Sequence, residues 1–90
     1  MNLEQGLILL IKDIVKKLLP QAKIFIFGSR AKETNRKFSD IDIAIKDPSL
    51  NFVNLAAVRF ALEESNLPYK VDVTNYADLD VQILSGAIEI

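Results

Sequence analysis

The chain has neither cysteine nor histidine in its 90 residues. Without cysteine there is no disulfide framework and no thiol nucleophile, which agrees with a reducing cytosol as the expected compartment. Without histidine there is no Ser-His-Asp triad, no imidazole base and no histidine-bearing zinc or haem site. Any chemistry must rest on carboxylates, hydroxyls, Lys, Arg and the backbone. Charge of one sign is lacking too. Eleven basic and twelve acidic residues leave a formal net charge of −1, so the broad positive surface that direct nucleic-acid binding needs is not expected. The longest apolar run, Leu7–Ile11, is far short of a membrane span. The start, Met1-Asn-Leu-Glu, lacks the basic region of a signal peptide. No repeat, low-complexity tract or linker interrupts the chain, and residues 1–90 read as one domain. Half of the residues are hydrophobic, enough for a core, although a chain this short buries only about 60–65% of its unfolded surface. Little remains to build a deep substrate pocket.

The informative feature is Gly28-Ser29, ten residues, then Asp40-Ile41-Asp42. Phe25–Phe27 are apolar and lead into the glycine, and Ser39–Ile45 alternates with period two. On a strand this places Asp40, Asp42 and Ala44 on one face and Ile41, Ile43 and Ile45 on the other. The isoleucines can be buried while two carboxylates sit about 7 Å apart along the strand. Like charges so placed repel unless something positive lies between them. A divalent metal such as Mg²⁺, which prefers carboxylate oxygen and substrate phosphate, answers that need. Lys70-Val71-Asp72-Val73-Thr74 repeats the pattern. If it pairs in parallel with Asp40–Lys46, both apolar faces meet one core and Asp72 lands beside Asp40 and Asp42. Asp47–Pro68 is long enough to hold the crossover helix that parallel pairing requires.

Each residue also has a plainer reading. Gly28-Ser29 can be a tight turn that ends a strand. Asp40, Asp42 and Asp72 can belong to a solvated sheet face, paired with Lys46 or Lys70, and such surface pairs contribute about 0–1 kcal/mol. Such pairs do not explain three carboxylates converging opposite a Gly-Ser turn. In the functional reading glycine lets the backbone approach a phosphate, and Ser29 opens a short helix whose amides donate to it. A local basic cluster, Arg30, Lys32, Arg36 and Lys37, lies between turn and carboxylates and suits a triphosphate.

The remaining pattern alternates helices and strands, which argues α/β. Leu3, Leu7, Leu10, Ile11, Ile14 and Leu18 recur at helical spacing, with Pro20 as the stop. Ile8, Leu9, Val15 and Leu19 fall partly outside that stripe as excess apolar surface, read either as a second buried side or as a docking patch around Ile8, Leu9 and Val15. Ala22–Phe27 reads as a strand, Ser29–Thr34 as a short helix, and Phe38–Lys46 as the second strand. Pro48, Ser49 and Asn51 announce a helix carrying Phe52, Leu55, Val58, Phe60 and Leu62. Tyr69–Thr74 is the third strand, flanked by Tyr69 and Tyr76 as packing residues. Asp78 is expected to cap a last short helix, Leu79–Ser85, with Gly86 ending it. Ala87–Ile90 forms a short edge strand. The expected fold is a small mixed sheet of three core strands, with that short fourth, packed with about four helices.

Phe27-Gly-Ser-Arg-Ala31, Ser39-Asp-Ile-Asp-Ile43 and Val71-Asp-Val73 resemble the minimal nucleotidyltransferase domains of the DNA polymerase β superfamily. The resemblance is to the small prokaryotic kind that acts as antitoxin to a HEPN-domain ribonuclease toxin, and it covers nearly the whole chain. It implies that Asp40, Asp42 and Asp72 are catalytic metal ligands, with two Mg²⁺ ions, and that Gly28, Ser29 and Arg30 hold the triphosphate of ATP. It further implies transfer of AMP to a hydroxyl of the toxin partner, a tyrosine first of all. Many relatives carry a glycine where this chain reads Lys32-Glu33-Thr34, a departure that touches the loop and not the carboxylates. Two other functions stay open: a non-catalytic protein that neutralises the toxin by binding, and a nucleotidyltransferase acting on RNA or a small molecule.

Overall fold

The structure is a computed structural model and describes residues 5–28 and 40–90. Leu3, Ser29, Arg30, the Ser29–Thr34 helix, the cluster Arg30, Lys32, Arg36 and Lys37, and the start of the second strand lie outside the described residues. Along the chain come α1 (Gln5–Leu18), β1 (Lys23–Phe27), β2 (Ile41–Lys46), α2 (Phe52–Glu63) and β3 (Val71–Asn75). A 3₁₀ turn (Tyr76–Asp78), α3 (Val81–Leu84) and β4 (Ile88–Glu89) follow. The strands form one mixed sheet in the order β3-β2-β1-β4. β1 is antiparallel to β2 and β4, whereas β2 and β3 are parallel. This is the expected mixed α/β sheet, its fourth strand included.

The parallel pair depends on α2 as crossover, and local chemistry fixes where α2 begins. The Asp47 carboxylate accepts from the Ser49 amide and hydroxyl at 2.8 and 2.7 Å, which turns the chain out of β2. The Asn51 side chain then accepts from the Asn54 amide at 2.9 Å, and the Asn54 side chain accepts from the Asn51 amide at 2.7 Å. This reciprocal capping box satisfies two amides that the first turn leaves without partners. Ile24 and Ile26 of β1, Ile41, Ile43 and Ile45 of β2, and Val73 of β3 are buried on the face that α1 and α2 cover.

The first helix is rotated from the stripe its leucine spacing suggests, keeping Ile11 buried and Leu7 and Ile14 packed against the core. Ile8, Ile11, Val15 and the following Leu19 are buried, while Leu10 and Leu18 of the expected stripe are 42% and 45% exposed. Ile8 and Val15 therefore belong to the core and not to a docking patch, and only Leu9 of that trio is exposed. The helix is apolar over so much of its circumference that periodicity alone does not set its rotation. In α2, likewise, Leu55, Val58 and Leu62 face the sheet, and Phe52 and Phe60 stay 84% and 63% exposed.

Two further expectations are corrected. Asp80, not Asp78, caps the last helix, with its carboxylate accepting from the Ile83 amide at 2.9 Å. Asp78 belongs to the 3₁₀ turn, which Asn75 caps by accepting from the Ala77 amide. Gly86 does not take the left-handed conformation, for Gly28 is the one described glycine with positive φ. The chain leaves α3 through Ser85, whose hydroxyl donates to the Gln82 carbonyl, and Ala87, whose amide donates to the Leu84 carbonyl.

Just before β3 the Lys70 carbonyl accepts from the Ile41 amide at 2.9 Å. Continuing that parallel ladder makes the Val73 carbonyl point away from β2. Arg59 of α2 takes it up, donating through Nε and Nη2 at 3.1 and 2.8 Å. The helical layer thus holds the outer strand by its backbone as well as by packing. Truncating Ile8 should cost at least about 2 kcal/mol in denaturant unfolding, as buried isoleucine-to-alanine changes do. Leu10→Ala should cost less than about 1 kcal/mol. The reverse ranking would restore the leucine stripe as the buried face.

Candidate active site

The site is a row across the upper end of the sheet. Asp42 stands directly beside Asp72 in the parallel β2–β3 register, and Phe27 stands beside Asp42 on the antiparallel side. Ile43 and Val73, one step on, are buried on the opposite face, so strand alternation turns both carboxylates to the face away from α1 and α2. Asp42 and Asp72 are partly buried, and Asp40, immediately before β2, is exposed. The structure thus brings Asp42 and Asp72 together and places Asp40 on the approach to them. Ser29 and Arg30 lie outside the described residues.

Gly28 follows β1 with φ of 73°, a conformation that costs L residues roughly 1–2 kcal/mol. Its position has a second consequence that the sequence does not reveal. A Cβ at residue 28 would lie 2.8 Å from Oδ2 of Asp42, too close for any real side chain without displacement of that carboxylate. The glycine therefore clears the space that Asp42 occupies, whether or not a phosphate also approaches it.

Electrostatics give Asp42 a distinct place. Its pKa is raised above the ordinary aspartate value, first by burial and then by the charges of Asp72 and Asp40. Asp72 has a partial counter-charge in Lys70, with Nζ 3.6 Å from Oδ1. Both side chains are substantially exposed, so this pair contributes little. Lys46, on the same face as Asp42, does not pair with an aspartate as its spacing allows. Its Nζ lies 5.0 Å from the centre of the Tyr76 ring, which in turn packs on Phe25 with ring centres 4.9 Å apart. Tyr69, the other flanking tyrosine, packs against the core.

Among the described residues no three acidic side chains lie close enough together to form a closed metal-binding group. The donor set nonetheless fits a hard divalent cation. All candidate ligands are carboxylate oxygens, and the ionised form of the central one is disfavoured by burial and then by the other two.

The profile of the family "Polymerase beta, Nucleotidyltransferase" matches residues 10–89, and the chain belongs to that family. It is 36% identical over 69 residues, 76% of its length, to the probable protein adenylyltransferase MntA of Haemophilus influenzae. It spans 60% of that relative's length. Among solved structures it is similar to a toxin–antitoxin crystallised with AMP-PNP, with a TM-score of 0.73, 22% identity, and coverage of 97% of this chain and 72% of that one. It is similar also to an MntA–HpeT toxin–antitoxin carrying two aspartate-to-glutamate changes, at a TM-score of 0.72 and 20% identity, with the same coverage. These structural likenesses establish the polymerase β-like fold.

Two substitutions test the site. Because the folded-state pKa of Asp42 is raised, ionising it opposes folding. That cost grows as pH climbs from the ordinary aspartate range, about 4, and is complete once the pH has passed the raised value. Asp42→Asn should therefore melt at or above the wild-type temperature at pH 7, and the difference should vanish below about pH 4. A variant less stable than wild type at pH 7 would make Asp42 a structural residue. Gly28→Ala should lower stability by roughly 1–2 kcal/mol from the φ strain alone. It should also move the Asp42 carboxylate, visible as a changed Asp42 titration in NMR. An unchanged titration would show that the turn does not set the carboxylate's place.

Proposed function

We propose that the chain transfers AMP from ATP to a hydroxyl of a cognate HEPN-type ribonuclease toxin, with tyrosine as the acceptor, and thereby acts as antitoxin. The observation that carries this reading is the row of Asp42 and Asp72 in register, with the Gly28 turn against Asp42. Support comes also from the relative named as a protein adenylyltransferase and from neighbours solved as toxin–antitoxin pairs, one of them with AMP-PNP.

In this reading Asp40, Asp42 and Asp72 are the ligands for Mg²⁺, which when bound supplies positive charge at the α-phosphate and at the acceptor hydroxyl. The backbone at Gly28, with Ser29 and Arg30, holds the β and γ phosphates and orients pyrophosphate for departure. The acceptor oxygen forms a bond to the α-phosphorus as the bridge to the β-phosphate breaks. With no histidine in the chain, the hydroxyl proton passes to a carboxylate oxygen of Asp72 or Asp42. A modified side chain beside the ribonuclease site then silences the toxin. Cytosolic residence accords with this role, and no helix among the described residues is long and apolar enough to cross a membrane.

A second reading, neutralisation by binding alone, has one observation in its favour: α2 keeps Phe52, Val53 and Phe60 largely exposed, the kind of apolar surface that marks a docking face. One experiment separates the two. ATP with Mg²⁺ should stabilise the chain by about 2.7 kcal/mol at a hundredfold excess over Kd, and ATP with EDTA by much less. Co-incubation of chain, partner and Mg²⁺–ATP should add one or more AMP units to the partner in intact mass spectra, with Asp42→Asn lowering the rate by about 10²–10³. A partner silenced without any adduct would leave binding as the mechanism.

A further inference from the structure

The face that carries the carboxylates has a second built feature one step down the strands. Phe25 and Ala44 are register partners, as are Ala44 and Thr74. Tyr76 follows β3 directly. β1 and β3 are separated by β2, yet the Phe25 and Tyr76 rings approach to 4.9 Å between centres at an interplanar angle of 42°. They meet only by closing over the middle strand. Ala44 permits this: it lies on the carboxylate face, is fully buried, and is small enough to leave room for both rings. Lys46 stands at the far end, away from the aspartates, with its ammonium over Tyr76. The rings themselves remain partly exposed.

We propose that this aromatic shelf, Phe25 and Tyr76 over Ala44, is the acceptor subsite and takes a phenol side chain. The inference rests on the nucleotidyl-transfer reading above. In an in-line displacement the attacking and leaving oxygens lie on opposite sides of the phosphorus. Pyrophosphate departs toward the Gly28 turn, beyond the end of β1, so the acceptor enters from the other direction, over the sheet. Attack begins with the oxygen about 3–3.5 Å from phosphorus, and a phenol's ring centre lies about 3 Å behind its oxygen, so the ring falls about 6–6.5 Å from the phosphorus. Residues two apart on a strand are separated by about 6.4–6.8 Å, which is the step from the Asp42 row to the Ala44 row. Aromatic rings attract one another at centre-to-centre distances of about 4.5–7 Å, the range in which Phe25 and Tyr76 already sit. A third ring extends that arrangement, whereas an aliphatic acceptor does not.

The test uses the full chain, isotope-labelled, in NMR titrations with N-acetyltyrosinamide, N-acetylleucinamide and Mg²⁺–AMP-PNP. N-acetyltyrosinamide should shift the Phe25, Ala44 and Tyr76 resonances, in the free and the nucleotide-loaded chain, and N-acetylleucinamide should not. Phe25→Leu combined with Tyr76→Leu should weaken the tyrosinamide at least tenfold while changing Mg²⁺–AMP-PNP affinity less than twofold. Tyr76→Phe should retain binding, and Ala44→Leu, which drives the rings apart, should lose it. Equal shifts from the leucine amide would overturn the proposal, as would shelf resonances that respond to the nucleotide alone, since adenine would then be the occupant. Failure of Mg²⁺–AMP-PNP to move Gly28 and Asp42 is a separate result. It would refute the nucleotidyl-transfer reading, while the tyrosinamide titration of the free chain still reports on the shelf.

Discussion

Everything at this site depends on the register of β2 against β3. With Ile43 opposite Val73, two branched apolar side chains enter the core together, and Asp42 is forced beside Asp72 on the other face. A slip by one residue would drive aspartates into the core and isoleucines into water. Burying an unpaired carboxylate is far more costly than burying a methylene is favourable. The isoleucines of β2 therefore fix the position of the carboxylates, although they touch no substrate. The capping box at Asn51 and Asn54 serves the same end, since it starts the crossover helix that makes parallel pairing possible.

The carboxylate row is a cost that the rest of the fold offsets. Asp42 is held partly out of water next to two like charges, and Gly28 adopts a backbone conformation open to few other residues. Lys70 relieves only part of the repulsion. Such local conflict inside an otherwise consistent pattern is where function is expected to reside. It also shows why the domain devotes its most regular strand, fully buried on one side at Ile41, Ile43 and Ile45, to its least comfortable residues.

Much of this was legible in the sequence because strand alternation is binary. Once Ile41, Ile43 and Ile45 are inside, Asp40, Asp42 and Ala44 have only one place to go. The third strand followed from the same logic, and the length of Asp47–Pro68 pointed to the crossover. Helix rotation is not binary. In α1 apolar residues surround most of the axis, so the leucine spacing suggested one stripe, and the fold kept Ile11 of it inside but rotated the helix to bury Ile8 and Val15 in place of Leu10 and Leu18. Asp78 and Asp80 are interchangeable as cap candidates by residue type; the choice fell to Asp80 because Asn75 had already drawn Asp78 into a 3₁₀ turn. Contacts between distant segments left no local signal. The clearance of Gly28 for Asp42 and the meeting of Phe25 with Tyr76 exist only once the sheet has formed.

The hydrogen bonds from Arg59 to the Val73 carbonyl bear on how these molecules behave when crowded. A mixed sheet has two borders, and each is a template on which a foreign strand can grow. Here one border is β4, only two residues long. The other is β3, five residues long, and the outward carbonyl at its midpoint is already engaged by a guanidinium. A strand approaching that side would have to displace a charged, bulky group to extend its ladder past the centre. The same arginine that ties α2 to the sheet thus acts as a stop against fibrillar stacking at the longer border, while β4 protects the other by its brevity.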